Sequence, residues 1–216
     1  MRIKLPLTLL AYIFATLPSI ANEAAAPADG GNISITESVR YILDTDMEYN
    51  TTVFQADPST PQAQFGVSFE GDGQQSLTLD KKDTTEKTAQ FLFRPENTDP
   101  RIDTFTLSIS QLDNLHLGGT YGAVELSNNQ GDSVFSITDI GGNVSLDNNT
   151  IERSGNAADA LVSLHSSGNN TIFIDDIGGT LSISNNTKTS GATQSGLGLL
   201  IYSYNKTENS SNSLIQ

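Results

Sequence analysis

The sequence predicts an all-β protein, specifically a parallel β-helix (solenoid) carrying an irregular β cap at its N-terminal end. Three observations predict it: short runs in which apolar and polar residues alternate, Gly, Asn and Asp clustered between those runs, and a block that recurs along the chain. Alternation with a period of two marks strands buried on one face. The gaps between runs leave no room for a helix of ordinary length. An apolar content of 36% plus 18 Gly in 216 residues is that of a folded domain and not of a disordered chain.

Residues 1–21 read as a signal peptide. Arg2 and Lys4 form a positive start, the stretch from Leu5 to Leu17 is nearly all apolar, and Ser19-Ile20-Ala21 supplies the small residues of a cleavage site. That apolar stretch is too short for a membrane span, which needs about 20 residues. Cleavage before Asn22 removes two bases and no acid. Nine basic residues then face 25 acidic ones, a net charge of −16.

Residues 22–101 are expected to form a flexible leader followed by the irregular cap. Within them, residues 65–69 (FGVSF), 76–79 (SLTL) and 89–93 (AQFLF) alternate as strands, and residues 70–73 (EGDG) and 80–87 (DKKDTTEK) serve as turns. Residues 102–216 are expected to be the solenoid proper. There, residues 131–150 align without a gap on residues 168–187, an offset of 37, with ten of the twenty positions identical: Gly131, Ile137, Asp139, Ile140, Gly141, Gly142, Ser145, Asn148, Asn149 and Thr150. A degenerate third copy is expected at residues 117–130, with Gly118-Gly119 in the place of the Gly pair.

One block reads physically as follows. Val144 with Leu146, and Leu181 with Ile183, alternate with polar residues and are expected to point inward. The Gly pair before each strand permits positive φ or a close approach of backbones. The Asn pair after it suits a bend, and Asn148 or Asn149 stacked over Asn185 or Asn186 is expected to form an amide ladder. Further strands are expected at residues 134–138, 160–165, 171–174 and 197–202. A repeat that cannot bury its own apolar face has to stack on its neighbours, at about 4.8 Å per strand.

Gly141-Gly142 with Leu146-x-x-Asn149, Gly178-Gly179 with Ile183-x-x-Asn186, and Gly118-Gly119 with Leu126-x-x-Asn129 carry a resemblance. The pattern resembles the Gly-Gly-Ala-aliphatic and Phe-x-x-Asn repeats of chlamydial polymorphic outer-membrane proteins. More broadly it is similar to the β-helical passenger domains of bacterial autotransporters. Asn143, Thr180 and Thr120 stand where that pattern has Ala, and Leu or Ile stands for its Phe. The resemblance implies an exported surface or secreted protein associated with the outer membrane, adhesin-like. Autotransporters end in a membrane barrel, whereas this sequence ends in residues 209–216 (NSSNSLIQ), as a truncated passenger or a free solenoid would.

Several chemistries are excluded or disfavoured. The acidic balance argues against nucleic acid as a partner. The absence of Cys removes disulfides and thiolate metal sites, and two His leave little for a His-based one. Asp139, Asp175 and Asp176 are the candidates for holding a cation or flanking a sugar, because Asp139 and Asp176 occupy equivalent repeat positions. Repetition favours a turn role for them, since catalytic residues are normally unique. His116 and His165 lie at outward positions of alternating strands, with no Gly-x-Ser-x-Gly elbow nearby. Tyr202 and Tyr204 alternate on one strand, as a core-and-edge aromatic pair or a sugar-stacking platform. No cofactor is expected.

The function expected is therefore binding without catalysis, with a glycan or a host protein as the extracellular partner, and with self-association through an open solenoid end. The alternatives are a polysaccharide-cleaving enzyme on the same scaffold, or a passenger fragment with no function of its own. N-terminal sequencing of the exported protein is expected to begin at Asn22; a mature protein that still starts at Met1 refutes the cleavage site.

Overall fold

The structure is a computed structural model and describes residues 22–81, 88–94, 101–128, 130–147, 150–152, 161–185, 187–189, 201–205 and 213–215. The described residues contain strands, turns and bends and no helix. Sheet A takes, in spatial order, β1 (Asn22–Ala25), β3 (Val39–Ile42), β6 (Gln62–Glu70), β9 (Ile102–Leu112), β12 (Asp132–Ile140), β16 (Asn170–Ile177) and β20 (Ser213–Ile215). Sheet B takes β2 (Asn32–Ile35), β5 (Val53–Ala56), β8 (Phe91–Phe93), β11 (Val124–Asn128), β15 (Val162–Ser166) and β19 (Ile201–Asn205). Sheet C takes β4 (Met47–Tyr49), β7 (Ser76–Lys81), β10 (Asn114–Gly119), β13 (Val144–Ser145) and β17 (Leu181–Ser182). A small fourth sheet pairs β14 (Thr150–Glu152) with β18 (Thr187–Thr189).

Every pairing is parallel. From β3 onward the chain visits the sheets in rotation, A then C then B, and each circuit lays its strands beside those of the circuit before. The strands before Ile102 belong to the same three sheets and the same rotation as those after it. Even residues 22–25, read from sequence as part of a leader, pair as β1 with β3.

The 37-residue offset becomes a vertical neighbour relation. Val144 pairs with Leu181, Ile137 with Ile174 and Thr150 with Thr187. The third sequence copy is corrected. Gly118 and Gly119 end β10 inside sheet C, paired with Asp80 and Lys81, whereas Gly141 and Gly142 lie between sheet A and sheet C. Leu126 lies in sheet B, while Leu146 follows a strand of sheet C. The partners of Asn143 and Val144 one circuit earlier are Asn114 and Leu115, which share no Gly pair with them. Similar letters had fallen on different walls of the structure.

Inward residues of all three sheets form one apolar cluster. Sheet A contributes Phe65, Phe69, Phe105, Leu107, Phe135 and Ile137, sheet B contributes Phe54, Phe91, Phe93, Leu126 and Leu164, and sheet C contributes Leu77, Leu79, Leu115, Leu117 and Val144. Its densest part is aromatic. Phe105 stacks on Phe93 with centroids 3.8 Å apart and rings within 10° of parallel, and on Phe65 at 5.6 Å. Parallel strands in register place like residues over like residues, and offset stacking of rings adds to their burial.

The inward positions of the last described strand of sheet C break the pattern. Val144 is fully buried beneath β17, but Leu181 and Ile183, one circuit on, are 42% and 43% exposed. Their register is the expected one and their burial is not, because β17 is the edge of its sheet. Phe105→Ala is expected to lower stability by about 3–5 kcal/mol, as loss of a buried aromatic does. Ile183→Asp, at an exposed edge, should change it by about 0.5 kcal/mol or less. Equilibrium denaturation of both variants checks this, and equal losses would place Ile183 in the core.

Candidate functional surface

Side chains at the corners tie each circuit to the next. Asn114 Oδ1 accepts the backbone N–H of Asn143 at 2.9 Å, and Asn143 Oδ1 accepts that of Thr180 at 2.9 Å. At the same corner two circuits earlier, Asp46 Oδ1 accepts Ser76 N–H at 2.8 Å. At the entrance to sheet A, Asp132 Oδ1 accepts Asn169 N–H at 2.7 Å. At the exit from sheet C, Asp147 accepts the N–H of Ser184. Asp29 does this for Thr51 and Thr52, at 3.1 and 3.0 Å. A corner amide that leaves a sheet loses its ladder partner, and an acceptor on the preceding circuit restores one.

This is the role of the second Gly of each pair. A Cβ on Gly142 would lie 2.5 Å from Asn114 Oδ1, and one on Gly179 would lie 2.6 Å from Asn143 Oδ1 and 2.5 Å from Gly142 O. Of the two functions expected from sequence, the structure uses space and not positive φ, since neither Gly141-Gly142 nor Gly178-Gly179 has a left-handed backbone. The expected ladder through Asn148, Asn149 and Asn186 lies outside the described residues; the Asn114–Asn143–Thr180 column performs that coupling at another corner.

Asp139 and Asp176 are brought to neighbouring circuits, as the repeat implied. Both are exposed and left-handed, with φ of 57° and 55°. The equivalent residue one circuit earlier is Gln111, with φ of 56°. The three share a conformation and not a charge, so the column exists to turn the chain at the end of sheet A. Asp tolerates that region better than most residues. Asp175 sits beside Thr138 on the adjacent strand, exposed. Among the described residues no three His, Cys, Asp or Glu side chains are placed to share a metal ion.

His116 lies on the outer face of sheet C beside Ser145. Its Nδ1 is 3.3 Å from Ser145 Oγ, and that hydroxyl donates to Asp147 Oδ2 at 3.1 Å. The order is wrong for a nucleophile. Ser145 has one proton and gives it to Asp147, so His116 can only donate to Ser145 and not deprotonate it. The Asp147 carboxyl is held below the usual carboxylate range, chiefly by the Ser182 hydroxyl and then by Ser184 and Ser145, against a desolvation that opposes them. A carboxylate so stabilised is a poor base. The backbone of His165 pairs with that of Ser127 in sheet B; the side chains of Tyr202 and Tyr204 lie outside the described residues.

Sequence reasoning did not single out the outer face of sheet A. Its residues form three rows across the strands: Arg40, Ser68, Ser108, Ser136 and Phe173; Gly66, Thr106, Val134 and Thr171; and Glu70, Ser110, Thr138 and Asp175. The floor is small and hydroxylated over three strands. At one end Arg40 is paired with Glu70 and, at 2.8 Å, with Glu23. The signal in sequence is the small residue at every second position of residues 104–110 (TFTLSIS), legible only once the inward set is assigned.

The corner carboxylates predict the acid response. The Asp29 carboxyl is pulled up by desolvation, but the Thr52 hydroxyl and the amides of Thr51, Thr52 and Asn50 together outweigh this and hold it below its ordinary value. With both Asp29 and Asp147 depressed in the folded state, their contribution is complete above the normal carboxylate range. It is lost as pH falls through the folded values. The melting temperature is expected to fall below about pH 4, and Asp29→Asn with Asp147→Asn should flatten that fall; an unchanged acid limb in the double variant refutes the assignment.

Compared with protein-family models, curated proteins and solved structures, the chain matches none.

Proposed function

We propose that this chain is an exported β-solenoid whose side wall binds a surface ligand without catalysis, in the manner of an autotransporter passenger or adhesin. The rotation of the chain through three parallel sheets supports the solenoid, and the basic-apolar-small order of residues 1–21 supports export. The observation that carries the binding role is the outer face of sheet A, where small hydroxylated side chains stand in register across successive strands. A wall of this kind offers contact area and hydrogen-bonding groups over a long span. The paired carboxylates and ordered nucleophile of a hydrolase are not among the clusters described above.

The partner is extracellular, a glycan or a protein of another cell's surface. Saturable binding of the purified mature chain to whole cells, glycans or matrix proteins is the expected result. Ser108→Arg with Ser110→Arg, both half-buried on that face, should reduce that binding at least tenfold while leaving the melting temperature unchanged. Binding that survives those substitutions, or release of reducing sugar from a polysaccharide, overturns the proposal.

A further inference from the structure

The row of Arg40, Ser68, Ser108, Ser136 and Phe173 has a shape as well as a composition. At about 4.8 Å per strand it runs about 19 Å from Arg40 to Phe173. Three serines lie between two tall side chains, flanked on one side by Gly66, Thr106 and Val134. These floor residues face outward by alternation with the core residues Val67, Phe105, Leu107, Phe135 and Ile137. Yet Ser68, Thr106 and Ser136 are only 3%, 7% and 9% exposed, so they lie below their surroundings. Together they make a trough and not a flat ribbon.

Ser68 Oγ is buried on this outer side and has no hydrogen-bond partner. An unsatisfied buried hydroxyl is a cost that a bound group can remove. Its rim is Arg40, a long side chain that is 32% exposed and held by Glu70 and Glu23. At the other end Phe173 stands outward beside Ser136, partly exposed and outside the core cluster.

An aromatic face followed by a line of hydroxyls matches the chemistry of a sugar chain: rings with an apolar C–H face and an edge of hydroxyl donors and acceptors. Charge selects among such chains. The chain carries −14 overall and Asp175 borders the trough, while Glu70 is neutralised by Arg40, so the net charge disfavours an anionic polymer.

We propose that this trough on sheet A binds a neutral polysaccharide running across the strands, with Phe173 stacking on a ring and Ser136, Ser108 and Ser68 hydrogen-bonding to its hydroxyls. The inference rests on the side-wall binding proposed above and names its ligand class and site. Binding of the full chain is measured by calorimetry against neutral polymers (β-glucans, mannan, chitin oligomers) and acidic ones (alginate, polygalacturonate, heparin). At least one neutral polymer is expected to bind. Phe173→Ala and Ser136→Arg should each weaken it tenfold or more, and Thr78→Ala on sheet C should leave affinity unchanged, with Phe173→Ala and Thr78→Ala melting like the parent. Failure of every neutral polymer, or indifference of neutral binding to both trough variants, overturns the proposal. An acidic polymer or a protein bound in a manner sensitive to Ser136→Arg overturns the neutral-glycan assignment alone and leaves the wall as a binding surface. If no ligand of any class responds to changes on sheet A, both fall.

Discussion

The structure depends on a side-chain acceptor on one circuit holding a backbone amide of the next. Along most of each sheet the parallel ladder satisfies the backbone. At a corner the chain leaves that ladder, and an Asn or Asp oxygen replaces the missing acceptor. Asn114, Asn143, Asp132 and Asp147 each reach forward one circuit to do so. The reach requires that the following circuit have no side chain in the way, which is why Gly142 and Gly179 sit opposite Asn114 and Asn143, and Gly168 sits opposite Asp132. Asn and Gly thus form one lock built from two adjacent circuits, and neither has its meaning inside a single block.

This constraint explains how sheets of very different circuit length stay in register. From β9 to β12 the partners are 28 positions apart, as Phe105 and Thr106 are from Ser133 and Val134, while from β12 to β16 they are 37 apart. Added length enters between strands and leaves the ladders undisturbed, since a longer loop costs little closure entropy once its ends are pinned. The core then has only to fill the same cross-section each time. It does so with stacked aromatic rings around Phe54, Phe65, Phe91, Phe93 and Phe105, and with Leu, Ile and Val in later circuits. The outer faces carry no such demand. Sheet A uses that freedom for serine and threonine, and sheet C for His116, Ser145 and Asp147.

Legibility followed locality. The alternation of residues 65–69, 76–79 and 144–146 was readable because a buried face writes itself into a single strand. The vertical pairing of Val144 with Leu181 was readable because blocks on two adjacent circuits kept the same letters at one fixed offset of 37. Unequal offsets left no such trace, so residues 22–101 read as irregular although the strands described among them, β1 to β8, occupy the same three sheets. The same limit produced the false third copy, since Gly118-Gly119 ends a strand of sheet C where the backbone at Gly119, with a φ of 118°, favours glycine. Asp139 and Asp176 looked like a possible ligand pair because sequence shows a carboxylate and not a dihedral angle. Gln111 in the same left-handed corner shows which of the two the position needs.

By itself the sequence determined strand-forming segments, their inward faces, the absence of cysteine chemistry, and one repeat distance, because each is a property of neighbouring residues or of one periodic offset. The tertiary structure alone decided which wall each strand joins, that Leu181 and Ile183 end exposed at a sheet edge, and that Ser68, Ser108, Ser136 and Phe173 lie in one row. Those four residues are separated by 40, 28 and 37 positions, three different intervals, so no period in the chain announces them. Only parallel stacking, which converts unequal lengths of chain into equal spacings between strands, makes them neighbours.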